Sequence, residues 1–91
     1  MIKKIKLEDA AAMSALHKRT FKIPSNAELA NLKSGNLVKV NSNGERFWCE
    51  IISVENGIII GRVDNDLLNP NLDLDDLIEI KAENIYTIFE E

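Results

Sequence analysis

The side chains able to do covalent or acid–base chemistry are few in this chain. It has one cysteine, Cys49, and one histidine, His17. A Cys–His nucleophile pair needs both groups in contact. Cys49 alternates with Phe47 and Ile51 in "RFWCEIISV" (46–54), which predicts a core-facing thiol, and a buried thiol is a structural one. His17 falls in a predicted surface helix. One His and one Cys make no zinc pattern. The stretch "DNDLLNPNLDLDD" (64–76) holds Asp64, Asp66, Asn69, Asn71, Asp73, Asp75 and Asp76, a calcium-like composition. It lacks the turn glycine and the closing glutamate of an EF-hand, so solvated turn residues are the expectation, with no metal and no cofactor. Paired carboxylates such as Asp64 and Asp66 can in principle do acid–base work, but nothing in the sequence predicts a raised pKa for either. The glycines are isolated, so no phosphate loop exists. Gly61, inside "IIIGRV", predicts a bulge or a close approach by another segment.

What remains is the other face of the same strand. Alternation puts Arg46, Trp48, Glu50 and Ile52 opposite Phe47, Cys49 and Ile51. Two readings of this face stand. Either Trp48 packs under an N-terminal helix with Arg46 and Glu50 at the rim, or Arg46 and Trp48 form an aromatic–arginine anchor for a partner. Arg62, Asn65 and Asp66, in "GRVDNDL", complete the candidate binding set.

These residues need elements to hold them. "LEDAAAMSALHKR" (7–19) predicts an amphipathic surface helix, with Glu8 and Asp9 in its first turn and Lys18 and Arg19 in its last. "FKIPSNAELANLKSG" (21–35) predicts a second helix with a Ser25–Glu28 capping box and a stop at Gly35. From residue 36 the period changes to strands: 36–40, 46–54, 57–63, 77–80 and 85–90, with a hairpin at Asn56–Gly57 and a helical turn at 81–84. "LKSGNLVKV" (32–40) and "LDLDDLIEI" (72–80) repeat one pattern 40 residues apart, which predicts two similar turns leading into strands. Lys39 and Glu79 take matching outward positions with opposite charge. The fold expected is α+β: a small five-stranded SH3-like β-barrel preceded by two helices, with an open antiparallel β-sandwich as the alternative. It is expected as one domain over 1–91, with a helical addition (1–34) and a barrel (35–91).

The chain resembles the bacterial domain of unknown function 2314 family over about residues 17–85. The motifs that carry the resemblance are "FKIPS", "LKSGNLVKV", "GERFW" (44–48) and "GRVDNDL" (61–67). Gly44, Glu45, Arg46, Phe47, Trp48, Gly61, Asn65 and Asp66 match the family pattern. Asp75–Asp76 stands where the family usually has Gly-Asp, and Asn84 lies where a histidine is often found. The resemblance implies that "GERFW" and "VDND" belong to one module. It implies no activity, substrate or cofactor.

Charge narrows the function classes. Residues 1–22 carry six Lys/Arg against two Asp/Glu, and residues 64–91 carry one Lys against nine Asp/Glu. The net charge of −4 argues against nucleic-acid binding. The simplest expectation is that the basic N-terminus lies over the acidic C-terminal half. No apolar run approaches the roughly 20 residues of a membrane span, and a single cysteine makes no disulfide, so a cytoplasmic, membrane-free protein is expected. The leading functional expectation is a non-enzymatic protein- or peptide-binding module. The next is an immunity- or inhibitor-type protein that sets its acidic half against a basic partner. An enzyme working through Asp64, Asp66, Arg46 and Arg62 ranks last.

Overall fold

Two Asn-Gly pairs build the centre of the sheet. Asn43 (φ 53°) and Gly44 (φ 80°) join β2 (Leu37–Ser42) to β3 (Glu45–Glu55). Asn56 (φ 51°) and Gly57 (φ 79°) join β3 to β4 (Ile58–Val63). Two successive positive φ values give the turn whose twist matches antiparallel strands, and Asn-Gly is the pair that adopts it most readily. The second hairpin is the predicted one. The first carries the same dipeptide and extends the antiparallel ladder to β2. In this computed structural model, which describes residues 1–16 and 22–90, β1 (Ile2–Lys3), β5 (Leu77–Ile80) and β6 (Thr87–Ile88) complete one six-stranded sheet. The order is β1-β5-β4-β3-β2-β6. Every pairing is antiparallel except β1 with β5.

The sheet corrects the expected five-stranded barrel with two preceding helices. It is mixed, has six strands and does not close, and one sheet is not the alternative sandwich either. Closure would need the two end strands to pair. Both end strands are two residues long and sit at opposite edges. The segment after β1 reaches the end of β2 through single bonds and not a ladder, with Glu8 N–H donating to Asn41 O at 2.8 Å and Ser42 Oγ to Lys6 O at 3.0 Å. Nor is the N-terminal third a helical addition, because β1 lies in the sheet and Leu29 and Leu32 pack on its core.

Helix α1 (Ala10–Leu16) is shorter than expected at its start. Asp9 is its cap, not a first-turn residue: Asp9 Oδ1 accepts from Ala12 N–H at 2.9 Å. His17, Lys18, Arg19 and Phe21 lie outside the described residues. Helix α2 (Asn26–Ala30) has the predicted capping box, with Ser25 Oγ accepting from Glu28 N–H and Glu28 Oε1 from Ser25 N–H. It ends at Asn31, well before Gly35. Among the described residues no helix is long and apolar enough to cross a membrane.

The repeated pattern is a repeated piece of structure. Gly35 (φ 95°) and Asp75 (φ 71°) hold the same left-handed position. Asn36 Oδ1 accepts from Lys33 N–H at 2.9 Å, and Asp76 Oδ2 from Asp73 N–H at 2.8 Å. Gly35 N–H donates to Ile51 O, and Asp75 N–H to Val63 O, both at 2.8 Å. Leu32 and Leu72, at equivalent positions, are both buried. The register extends the relation inward. Leu37 faces Glu50 as Leu77 faces Arg62, and Lys39 faces Trp48 as Glu79 faces Ile60. An approximate two-fold axis normal to the sheet therefore passes through the Glu50–Arg62 pair.

One sheet face is the core. Val38, Val40, Phe47, Cys49, Ile51, Val63, Ile78 and Ile80 are buried there, and Leu72 and Ile85 cover them from the connections. The other, outer face carries the candidate residues.

Candidate functional site

Trp48 is half-buried on the outer face of β3. Its neighbours come from the sheet. Phe89, just after β6, meets it edge-on with ring centroids 6.0 Å apart. Lys39, directly across the ladder, holds its ammonium 4.9 Å from the ring centroid. Helix α1 instead packs against the short 3₁₀ turn Ala82–Asn84. Phe89 is about half exposed, and Ile2, Ile52 and Ile58 are also exposed.

The five sequence-predicted site residues do not form one cluster. Arg46 is exposed, with its guanidinium carbon 5.0 Å from the centroid of the Tyr86 ring. Arg62 is held between two carboxylates, Glu50 beside it on β3 and Asp75 in the turn before β5. Those two hydrogen bonds raise its pKa above the ordinary arginine value, so it stays a cation at any working pH. Asn65 acts as a clamp: its side-chain oxygen accepts from Trp48 N–H at 2.6 Å, while Asp64 N–H donates to Trp48 O at 2.9 Å. Asp66 is exposed.

Glu45 plays a part that sequence reasoning missed. Its carboxylate accepts from Leu68 N–H at 2.8 Å and Asn69 N–H at 3.0 Å. Glu45 and Asn65 together tie the start of β3 to the 64–76 loop. "GERFW" and "VDND" are thus one physical unit, joined by side-chain-to-backbone bonds. A hollow of about 510 Å³ lies beside this junction, lined by Gly44, Glu45 and Pro70 among others. Its one carboxylate, Glu45, is already occupied by the two amides.

The acidic loop is accounted for by turns and ion pairs. Asp75 pairs with Arg62, and Asp76 with Lys3 at 2.7 Å. The hydrogen bonds from Lys3 and from Asp73 N–H hold the Asp76 carboxyl below its ordinary pKa. Lys4 lies 4.0 Å from Glu79. Of the basic N-terminal segment, Lys3 and Lys4 lie against the acidic C-terminal half, and Lys18 and Arg19 fall outside the described residues. Among the described residues no three His, Cys, Asp or Glu side chains converge where a metal ion could sit.

Cys49 is fully buried. Burial, and secondarily the charge of Asp64, push its thiol up to about 12. A thiol with that pKa offers almost no thiolate at neutral pH. We expect a thiol-specific reagent to leave native Cys49 unmodified for as long as the fold holds, and to react fully once denaturant unfolds the chain. Rapid modification of the native protein would contradict this placement.

No protein-family model, no curated protein and no solved structure matches this chain. The site is therefore defined by its own geometry: an open mixed sheet whose outer face carries an aromatic pair towards one edge and exposed aliphatic side chains elsewhere.

Proposed function

We propose that this protein is a non-enzymatic, protein-binding module of the cytoplasm that engages its partner through the outer sheet face around Trp48. The observation that carries the reading is the edge-on Trp48–Phe89 pair on the outer face, with Phe89 about half exposed and Trp48 partly buried beside it. Large aromatics in partly open, preorganised positions are what binding hot spots are made of. The resemblance to the domain of unknown function 2314 family adds the notion of a recurring module and no activity. Asn65 supports the face without belonging to it, since it fixes the backbone of Trp48. Arg62, at the centre of the face, is already paired with Glu50 and Asp75 of its own chain.

The inhibitor reading has less support. Asp75, Asp76 and Glu79 each have a cation of their own chain nearby, which reduces the acidic field available to a basic partner.

Trp48→Ala tests the proposal. The substitution removes an aromatic pair and a cation–π contact, together about 1–2 kcal/mol beyond the burial of the ring itself, and leaves the core cluster untouched. Chemical crosslinking in the native cell is expected to trap the wild-type chain in a defined complex. The same complex should be lost with Trp48→Ala while the circular dichroism spectrum stays unchanged. A complex that survives the substitution would place binding elsewhere.

A further inference from the structure

The outer face has a property that a generic binding surface would not need. Under the approximate two-fold axis normal to the sheet, Lys39 maps onto Glu79 and Glu50 onto Arg62, so these four charges map onto their opposites, while Arg46, farther out, maps onto Ile58. The apolar positions keep their character: Leu37 maps onto Leu77, and Trp48 onto Ile60. Lys39 therefore occupies one corner of the face, Glu79 the diagonally opposite corner, and the Glu50–Arg62 pair the centre.

Such a face is complementary to itself. Consider a second copy related by a two-fold axis that lies in the interface and passes over the Glu50–Arg62 pair. When that axis bisects the face at about 45° to the strands, Lys39 of each copy falls over Glu79 of the other. Trp48 then falls on the aliphatic side of the second face, near Leu77. The strands of the two sheets cross near a right angle, one of the two preferred ways for sheets to pack. Isologous contacts of this kind are the commonest route to homodimers. The size also fits. Five inter-strand spacings of about 4.8 Å and strands of about six residues make a face about 24 by 20 Å, or about 960 Å² in projection for two copies. Side-chain relief raises that area past the threshold of about 1,000 Å² for a specific interface. The sheet edges, two-residue strands at both ends, give little template for pairing side by side.

We propose that the outer sheet face is a homodimer interface in which Lys39 of each copy meets Glu79 of the second copy. This rests on the reading of that face as a protein-binding surface and names the partner as the chain itself.

The test is sedimentation of the full chain from micromolar to millimolar concentration. The wild type should pass from the mass of one chain to that of two. Lys39→Glu places Glu against Glu twice in the dimer, and Glu79→Lys places Lys against Lys twice. Each variant alone should raise the dissociation constant at least about tenfold. Mixing the two variants should restore the dimer, because both contacts are then of opposite charge. Recovery on mixing also shows that neither variant had merely misfolded. A wild type that stays monomeric throughout overturns the homodimer, as does a dimer indifferent to either charge reversal. If the monomer still forms a Trp48-dependent crosslinked complex with a different protein, the binding-face reading stands and only the choice of partner fails. If it forms no such complex, both fail.

Discussion

Replacing Phe47 with alanine is expected to destabilise the domain by about 3–5 kcal/mol, measured as a lowered midpoint of denaturant unfolding with an unchanged slope. The ring is buried at 2% exposure in the single core cluster. It pairs across the ladder with Val40, itself fully buried. Truncation removes the transfer energy of the ring and leaves a cavity that the surrounding backbone cannot easily close, because β2 is paired with β3 through this stretch and Asn65 holds the other edge at Trp48 N–H. A domain of this size has a total stability on the order of 5–14 kcal/mol, so a substantial unfolded population should appear at 37 °C. Trp48, one residue on, should behave in the opposite way, with a small loss of stability and a complete loss of association. The contrast tests the division of β3 into a packing face and a binding face. Equal destabilisation by the two substitutions would show that the division is false.

That division was legible in the sequence because it depends only on alternation. Phe47, Cys49 and Ile51 take the core side, and Arg46, Trp48, Glu50 and Ile52 are half-buried or exposed. The hairpin at Asn56–Gly57, the Ser25–Glu28 box and the repeated turn before β2 and β5 were also legible, since each is specified by residues close in the chain. Other features depend on contacts distant in sequence. Ile2 pairs with Leu77, and neither residue's neighbours signal a parallel partner. Without β1 in view, residues 1–34 read as helical and five strands appeared to be enough for a barrel. Whether a sheet closes depends on its two edge strands, and here both are two residues long and do not pair with each other.

The candidate site was legible to a similar degree. Trp48 was singled out on the correct face, but its neighbours were not. Lys39 is its ladder partner, and Phe89 arrives from the far end of the chain. Asn65 looked like a ligand-binding polar group and is a structural clamp, because an amide oxygen accepting a backbone N–H leaves no trace in the spacing of residues. The density of Asp and Asn in 64–76 gives a calcium-like composition, with solvated turn residues as the expectation. Three of these residues have turn roles: Asp75 tolerates a positive φ, Asp76 closes its own turn, and Asn69 accepts from Asn71 N–H.

Gly61 joins both predicted explanations for a strand glycine. The ladder slips between Ile51 and Ser53 of β3, which leaves Ile52 as an extra residue opposite the Gly61–Ile60 step. A methyl group at Gly61 would lie 2.7 Å from Ile80 Cδ1 and 3.1 Å from Cys49 Cβ. In an open strand, exchanging glycine for alanine stabilises by about 0.4–1 kcal/mol through the unfolded chain. Here the contact reverses the sign, and Gly61→Ala is expected to destabilise by about 2–3 kcal/mol. Ile80 is fully buried, so its terminal methyl has little space to retreat into, and Cys49 Cβ is fixed by its strand. Ile80→Val removes the nearer obstacle at a cost of about 0.5–1.5 kcal/mol. The double variant should therefore be more stable than the sum of the single losses predicts, with a coupling of about 1 kcal/mol or more. Strictly additive losses in a double-mutant cycle would mean that Ile80 does not force the glycine, and would leave the slip in register at Ile52 as its cause.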